Sequence, residues 1–500
     1  MEDTTHMSTI TTRRHKIYAA RESQITNNKF AVHGGRPYID RRLWRAPNET
    51  DISWIGDPSR GIVGRKQRAA LVPDAARVAN KINQYIFKKS AERTGTDEAF
   101  LSNCTGNGES IHEFMQRVNT AVTFGGWCWL QVDRAALQDG ESETLANKAP
   151  IKWLLWDALD VTDWCFDGNG LKWIIVRSQI YLNDDPHQTA KEGYLFTLYE
   201  MKDGVVCITE EADGNLQLSN LRVGVPIPGL KRIPFIPVGL PSDAAWWFDD
   251  VENLQAQILN LDSQHNETLT ESVYPQIVLP SSLSNSLEAR LMECGETGER
   301  VVALIREATL GRKIPIMEGS EDKGISRYIS PTGDLKILTD ECTRKRSLLF
   351  DIAGLALFNR ETRQVQTAES KQFDQMDTNS TLENRALLLQ ETEKKLVELS
   401  KVFDPAFKGY EPKYPSDFDV VDVAALSAAL TSAANAPDKT PLVRKIIAKA
   451  NLRILREICA GIATDEEFSA AIEEIDEHDF DVQPTLPNPF ERMEDEDDEE

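Results

Sequence analysis

Residues 250–280 read DVENLQAQILNLDSQHNETLTESVYPQIVLP, a stretch that combines a long amphipathic pattern with an abrupt stop. Its apolar side chains recur at three- and four-residue intervals, the spacing of one face of an α-helix. The stripe consists of Val251, Leu254, Ile258, Leu261, His265 and Leu269. Tyr274-Pro275 ends the pattern, because proline cannot continue a helix. We therefore predict a helix over residues 249–273, with His265 as a packed residue of the apolar face rather than a ligand.

The next residues predict a small α/β insert and a second long helix. The insert covers residues 275–332, with strands at 276–279 and 300–306 and a helix at 286–294. The helix is predicted over 333–358. Its apolar stripe consists of Leu335, Leu338, Cys342, Leu349, Ile352 and Ala356, and it is interrupted by Arg344, Lys345 and Arg346. Two long helices thus bracket a compact insert.

A polar loop and a third long helix follow. Residues 359–366 lack periodicity, which predicts a loop. The helix is predicted over 368–403, with a break near Thr378–Ser380 because Ser380 and Glu383 have capping-box spacing. The stripe of its second half consists of Leu382, Ala386, Leu389, Leu396 and Phe403.

The C-terminal part is predicted to be helical after a linker over 404–418. Helices are predicted at 421–434, at 441–459 and at about 464–475, where Thr464 and Glu467 form a capping box. The last ten residues hold eight acids and one arginine, a composition typical of disordered segments.

The N-terminal half mixes helices and strands. Residues 1–66 are Arg-rich and poor in periodic apolar positions, so we interpret them as a solvated basic arm. Helices are predicted at 71–91 and 111–122. Strands are predicted at 124–133, 151–156, 171–180, 194–201 and 205–210, followed by an extended segment at 233–238 in which proline excludes a central strand. Short strands separated by turn signals predict antiparallel sheets, and the fold class is therefore α+β.

The composition limits the function. The 500 residues include 56 basic and 80 acidic side chains, and the net charge of −24 argues against a general affinity for DNA phosphates. Seven cysteines lie far apart without metal-finger spacing, which indicates reduced thiols. The sequence has no apolar run long enough for a membrane span and no signal-peptide pattern, so we expect a soluble protein made in a cytoplasm.

Motifs for common enzyme chemistries are absent from the sequence. The turn Thr105–Ser110 contains two glycines but not the lysine of a phosphate-binding loop. His112-Glu113 is not followed by the second histidine of a zinc-protease motif. No GxSxG nucleophile elbow occurs. We predict no catalytic residues, no cofactor and no bound metal.

The order of these elements resembles that of the portal proteins of tailed bacteriophages. Five further stretches carry the resemblance: VTFGGWCWLQVD (122–133), DVTDWCFDGNGLKWIIVRSQ (160–179), KRIPFIPVGLP (231–241), QTAESKQFDQMDTNSTLENRALLLQETEKKL (366–396) and ATDEEFSAAIEEIDE (463–477). Together with residues 250–280 they extend the resemblance over about residues 60–477.

The resemblance implies a division of the chain into regions. These are a basic N-terminal arm (1–59), a wing (60–248), a stem helix (249–273), a clip (274–332), a second stem helix (333–357), a tunnel loop (358–367), a wing helix with a linker (368–419), a helical crown (420–480) and an acidic disordered tail (481–500).

The resemblance also implies a function. A portal protein forms a dodecameric ring at one capsid vertex, and double-stranded DNA passes through its channel during packaging and ejection. The expected partners are further copies of the chain, double-stranded DNA, the terminase large subunit, head–tail adaptor or neck proteins, the major capsid protein and a scaffold, with no membrane. The protein is expected in the virion and, during assembly, in the host cytoplasm.

Candidate site residues follow from the same resemblance. DNA-channel candidates are Arg344, Lys345 and Arg346 in the stem, with Arg360, Arg363 and Gln364 on the tunnel loop. Candidates for motor or adaptor docking in the clip are Arg306, Arg312 and Lys313. The stem and tunnel-loop arginines and Lys345 could equally form salt bridges between subunits or lie on the outer surface. The alternative functions are another virion structural protein, such as a capsid or neck component, and a nucleic-acid-processing enzyme with a diverged site.

Overall fold

A computed structural model describes the backbone of residues 10–47, 49–60, 62–95, 97–134, 150–168, 170–182, 191–213, 221–227, 230–273, 276–280, 316–318, 327–329, 335–355, 368–415, 418, 445–449, 451–452 and 465–477. The chain divides into two units, residues 1–418 and 419–500, and each is described by itself.

The helices of the first unit are α1 (Lys16–His33), α2 (Arg36–Arg42), α3 (Asp51–Trp54), α4 (Arg65–Arg68), α5 (Asp74–Ile86), α6 (Glu98–Ser102), α7 (Ile111–Gly125), α8 (Trp247–Val273), α9 (Leu335–Ile352) and α10 (Ala368–Phe403). The predicted helices at 71–91, 111–122, 249–273 and 333–358 are confirmed as α5, α7, α8 and α9. Helix α7 begins with a complete capping box of Ser110 and Glu113.

The strands are β1 (Gly56–Asp57), β2 (Ile62–Val63), β3 (Glu92–Thr94), β4 (Cys128–Arg134), β5 (Ile151–Asp157), β6 (Val161–Asp167), β7 (Gly170–Leu182), β8 (Lys191–Lys202), β9 (Val205–Ala212), β10 (Val225–Pro226), β11 (Phe235–Val238), β12 (Gln276–Pro280), β13 (Ile316–Glu318), β14 (Arg327–Ile329) and β15 (Glu411–Lys413). A mixture of helices and sheets agrees with the predicted α+β class.

Two antiparallel sheets form the N-terminal half, as predicted. One has five strands in the order β10-β9-β8-β7-β6, and the other has three in the order β11-β4-β5. Strand β11 is an edge strand with Pro237 opposite Trp129, so the proline costs no hydrogen bond of a central strand. The predicted strand at 124–133 begins at Cys128, because α7 continues to Gly125 and Gly126 takes a left-handed conformation.

The main core lies where α1, α5 and α7 pack around the three-stranded sheet. Trp127, Trp129, Trp153 and Phe114 are all at most 2% exposed. The aromatic run that the sequence predicts as a buried strand is therefore at the centre of the core.

The prediction of a solvated arm is wrong for residues 16–42. Helices α1 and α2 pack into the core, where Tyr18, Ile25 and Tyr38 are fully buried. The inward face of α1 also includes Arg21 and Asn28, which are buried because carboxylates and carbonyls of other elements bind them. A face that mixes apolar and polar side chains gives little hydrophobic periodicity, so the sequence pattern does not reveal it.

The predicted break in the third long helix is also wrong, because α10 is continuous through Thr378–Ser380. Thr378 is fully buried and its hydroxyl donates to the Gly354 carbonyl at 2.9 Å, while Leu382 extends the buried stripe. Packing along the whole face outweighs the local capping signal of Ser380 and Glu383.

The insert between α8 and α9 contains a three-stranded sheet in the order β13-β12-β14. Strand β12 confirms the prediction at 276–279, whereas β13 and β14 are too short to give a sequence pattern. The predicted helix at 286–294 and strand at 300–306 lie outside the described residues.

In the second unit, helix α11 (Asp465–Glu477) confirms the prediction at 464–475. Asp476 at its end pairs with Lys445 at 2.9 Å and with Lys449 at 2.7 Å. The predicted helix at 421–434 and the acidic end lie outside the described residues, as does most of 441–459.

Candidate functional site

Helices α8 and α9 pack side by side, although the 61 residues 274–334 separate them in the sequence. Val251, Ile258 and Leu349 are each at most 1% exposed, and Cys342 is 4% exposed. At the end of the pair that adjoins α1 and α5, both apolar stripes predicted from the sequence therefore face the hydrophobic core.

Burial decreases toward the other end of the pair, next to the insert. Leu269 is 43% exposed, Val273 is 61% exposed and Ile337 is 66% exposed. Apolar side chains of this size are usually covered when they cluster in a folded protein. Among the described residues, this end of the helix pair thus exposes apolar side chains.

The three neighbouring cations of α9 have different surroundings. Arg344 is 63% exposed and makes two hydrogen bonds with Glu341 on its own helix, at 2.7 and 2.8 Å. These bonds, with a further one from Lys345, lower the pKa of the Glu341 carboxyl to about 2. Arg344 is the most exposed of the three.

Lys345 connects the two helices. Its side chain is 15% exposed, and its ammonium donates to the Gln257 side-chain oxygen of α8 at 2.7 Å and lies 3.1 Å from Glu341.

Arg346 points in a third direction, toward α5. Its Nε donates to Oδ2 of Asp74 at 3.1 Å, and Arg77 binds the other oxygen of the same carboxylate at 2.8 Å. Because Asp74 is fully buried, these two cations compensate a charge inside the protein. Arg346 and Lys345 are therefore paired within a single chain, which differs both from the predicted exposure to a channel and from the alternative of salt bridges between subunits.

The other predicted site residues lie outside the described residues. They are Arg360, Arg363 and Gln364 of the tunnel loop and Arg306, Arg312 and Lys313 of the clip.

The first turn of α8 is held by the N-terminal helix, a feature that the sequence analysis missed. Asp249 is 6% exposed, accepts two hydrogen bonds from Arg21 of α1, and accepts a third from Asn28 at 2.8 Å. Its Oδ2 also accepts the Trp246 backbone N–H at 2.8 Å, in the manner of a helix cap.

One turn further along α8, Glu252 forms a second buried anchor. The carboxylate is fully buried and lies 2.7 Å from Nε of Arg42, while the Tyr38 hydroxyl donates to it at 3.0 Å. Burial raises the pKa of Glu252, and the bonds from Arg42, Gln24 and Tyr38 oppose that shift. The position of α8 therefore depends on α1 and α2.

A third anchor involves Arg65 at the start of α4. Its guanidinium binds both oxygens of Glu49 at 2.9 Å, the Trp44 carbonyl at 2.6 Å and the Ser263 hydroxyl of α8 at 3.2 Å. Many cations of the predicted basic arm are thus engaged by carboxylates of the same chain.

Helix α10 is fixed by a buried cluster around Glu393. The carboxylate accepts two hydrogen bonds from Arg93, at 2.6 and 2.9 Å, and one each from Tyr410 and Tyr414. Burial raises the pKa of Tyr410 and of Tyr414. A fully hydrogen-bonded cluster of this kind favours one arrangement of α10 against β3 and β15.

Two open clefts flank Trp44 on the outer face of α8, with volumes of about 550 and 740 Å³. The α8 wall of the larger cleft carries four amide side chains at helical spacing, Asn253, Gln257, Asn260 and Gln264, and Gln264 also lines the smaller cleft. Trp44 itself is 62% exposed. The clefts are open, shallow surfaces rather than enclosed substrate pockets.

Within the described residues, no group of His, Cys, Asp and Glu side chains could hold a metal ion. None of the described helices is both long enough and apolar enough to cross a membrane.

Comparisons with known proteins give only weak matches. No protein-family model and no curated protein matches the sequence. Among solved structures, a chain from the virion of a native gene transfer agent particle matches with a TM-score of 0.34 and 12% identity, covering 85% of this chain and 98% of that one. A chain from the neck of an empty gene transfer agent particle, computed with C6 symmetry, matches with a TM-score of 0.32 and 9% identity, covering 86% and 94%. Both TM-scores are below 0.5, so neither likeness assigns a function to this chain.

Proposed function

We propose that the chain is a portal protein, which forms a ring at one capsid vertex and conducts double-stranded DNA during packaging and ejection. The observation that carries the proposal is the α8–α9 pair, whose connecting residues form the small sheet β12–β14. This arrangement matches the stem and clip that the sequence resemblance implies.

The exposed end of the helix pair supports assembly into a ring. Leu269, Val273 and Ile337 leave an apolar surface that a neighbouring copy would bury. When the same head-to-tail contact is repeated by rotation, the ring closes. We expect about twelve copies, as the resemblance implies.

The charge of the chain suits a conduit for DNA. A wall that neutralised many phosphates would bind the duplex tightly and retard its movement, because phosphate neutralisation dominates DNA affinity. A net charge of −24 per copy avoids that effect. ATP hydrolysis would be supplied by the terminase motor at the clip, where neck or adaptor proteins would bind after packaging.

Among the cations of α9, Arg344 is the best candidate for a contact with DNA. It is mostly exposed, and its only described acceptor, Glu341, is on the same helix. Arg360, Arg363 and Gln364 remain candidates for the channel, and Arg306, Arg312 and Lys313 for docking at the clip.

Native mass measurement and negative-stain imaging of the purified full-length chain would test the proposal. We expect a uniform particle of about a dozen subunits with a central hole. A stable monomer at micromolar concentration would contradict the proposal. Pentamers and hexamers would instead favour a capsid protein, and nucleotide- or metal-dependent activity on DNA would favour the enzyme alternative.

The contact of Arg344 needs a separate experiment. Replacing Arg344 with Gln should alter the length of DNA packaged in assembled heads while rings form normally. Normal rings with an unchanged genome length would exclude a channel role for Arg344.

A further inference from the structure

Residues 10–15, directly before α1, lie across the five-stranded sheet on the face that points away from the main core, and we call them the strap. Ile10 packs on Ile175 of β7 and Phe196 of β8, and these residues form a small cluster outside the main core. The adjacent Ile174 belongs to the main core instead. Because side chains alternate between the two faces of a strand, the strap covers the second face of this sheet.

Arg13 and the start of the strap bind other strands of the same sheet. Nε of Arg13 donates to Oδ2 of Asp163 on β6 at 2.6 Å, and its guanidinium carbon lies 4.5 Å from the centre of the Trp173 ring on β7. On β9, the Glu211 carboxylate interacts with the backbone N–H groups of the first two strap residues. The strap therefore crosses the sheet from β9 to β6.

At His15 the strap turns around the edge strand β6. Asp163 and Trp164 are consecutive residues of this strand, so their side chains point to opposite faces of the sheet. Arg13 binds Asp163, whereas the His15 ring stacks on Trp164 with the ring centres 4.1 Å apart. The His15 backbone N–H donates to the Thr162 carbonyl at 2.9 Å. The imidazole is thus the last contact of the strap with the sheet before α1 begins.

The same imidazole caps α1. Its Nδ1 accepts the backbone N–H of Ile17 at 3.2 Å, so the ring is neutral and this nitrogen carries the lone pair. A proton on Nδ1 would remove the cap and place a positive charge at the N-terminal end of the helix dipole, where cations are unfavourable. Burial lowers the pKa of His15, which also favours the neutral ring.

The charged groups around the ring oppose this preference only in part. Asp163 attracts a protonated His15, but Arg13 already binds that carboxylate. The ring face of the stacked tryptophan also attracts a cation. Arg14 points toward aromatic rings of α1 and β8, and Lys16 is exposed to solvent. Burial outweighs the attraction of Asp163, because the pKa of His15 is lowered.

We propose that the strap is a pH-sensitive clasp, in which protonation of His15 unfastens the strap from the five-stranded sheet and uncovers Ile175 and Phe196. In a released strap, His15 titrates at its ordinary pKa of about 6.5, whereas the bound strap holds that pKa lower. Release is therefore favoured as the pH falls below about 6.5. The clasp lies within one copy of the chain, so it does not depend on the proposed ring.

Hydrogen–deuterium exchange of residues 10–16 in the full-length chain tests the proposal. Exchange is measured at about pH 7.5 and about pH 5.5, on either side of the ordinary pKa of histidine, and each rate is divided by the intrinsic rate at that pH. His15→Asn keeps a capping acceptor but cannot titrate. The matched control is His265→Asn, which removes a histidine from α8.

In the wild type, the corrected exchange rate of the strap should rise at least about twofold from the higher to the lower pH. His15→Asn should show no such rise, and His265→Asn should show the wild-type rise. A further variant, Arg13→Gln, loses the bond to Asp163, so it should exchange faster at both pH values and still show the rise.

Four results would overturn the proposal. One is a wild-type rate that does not change with pH, and another is a rise of the same size in His15→Asn. A rise that is lost in Glu211→Gln but kept in His15→Asn would assign the titration to Glu211, whose pKa is raised by burial. An equal rise in the core strand β4 would show acid unfolding of the core rather than release of the strap.

Discussion

The run Arg344-Lys345-Arg346 illustrates how helix geometry limits a cluster of like charges. Successive residues of an α-helix point about 100° apart, so three in a row cannot face one channel. The structure follows this rule, with Arg344 exposed, Lys345 bound to α8 and Arg346 bound to Asp74 of α5. The helical divergence of the three side chains could be predicted from the sequence. The identity of their partners could not, because Asp74 is 272 residues away from Arg346.

The ion pair of Arg346 leads to a stability prediction. Replacing Arg346 with Gln should lower the free energy of unfolding by about 1–3 kcal/mol, because Asp74 is fully buried and would keep only Arg77 as a cationic partner. Denaturant unfolding measures the change. Arg344→Gln is the matched control and should leave the free energy of unfolding nearly unchanged, since its ion pair is exposed. Equal effects of the two substitutions would contradict the assigned roles.

A pH-dependence prediction concerns Asp160, after strand β5. The backbone N–H of Asp157 donates to Asp160 at 3.0 Å, and burial together with the neighbouring Asp157 carboxylate raises the pKa of Asp160 to about 7. Lys29 and Arg177 oppose this shift. A carboxyl with a higher pKa in the folded than in the unfolded chain stabilises the fold at low pH, and that contribution is lost as the pH rises toward 7.

Asp160→Asn should therefore flatten the decrease in unfolding free energy between about pH 4 and pH 7. The wild type should lose about 1–3 kcal/mol more than the variant over this interval. Denaturant unfolding at several pH values measures it, with exposed Asp243→Asn as the control. Parallel profiles for Asp160→Asn and the wild type would refute the assignment of this titration to Asp160.

At the scale of elements, the sequence predicts best where a single apolar face decides the structure. Helices α5, α7, α8 and α9 follow from their apolar spacing, and β7 and β8 from β-branched and aromatic runs between turns. Helix α1 escapes this reasoning, because its inward side chains Arg21 and Asn28 are stabilised by distant partners such as Asp249. Its role as an anchor of α8 is a tertiary property that no local pattern encodes.

The contact between the end of α9 and α10 gives a prediction at this scale. Gly354 has φ of 64°, and a Cβ there would lie 2.7 Å from the Thr381 hydroxyl oxygen of α10. Replacing Gly354 with Ala should lower the unfolding free energy by about 2–4 kcal/mol, from backbone strain and a steric clash together. The control Gly204→Ala has φ of 78° and open space around it, so only the strain of about 1–2 kcal/mol applies. Similar losses for both variants in denaturant unfolding would exclude the clash with α10.

At the scale of the whole molecule, the helix pair and the buried carboxylates have complementary roles. Asp249 and Glu252 fix the start of α8 to α1 and α2, and Glu393 fixes α10 to β3 and β15. The far end of α8 and α9 has no comparable anchor among the described residues and exposes apolar side chains instead. A helix pair that is anchored at one end and exposes apolar side chains at the other is suited to contacts with further copies of the chain.

A substitution at this uncovered end should separate assembly from folding. Ile337 is 66% exposed in the first turn of α9, where an aspartate is compatible with the helix because it interacts favourably with the N-terminal end of the helix dipole. Ile337→Asp should therefore keep the thermal midpoint of the monomer, while the concentration at half-assembly rises at least tenfold, since neighbouring copies would have to bury a charge. Leu240→Asp is the matched control, because Leu240 is 85% exposed and belongs to the segment between β11 and α8 rather than to the helix pair. If Ile337→Asp assembles at the wild-type concentration, the apolar end of α8 and α9 is not the contact between copies, and the ring must close through another surface.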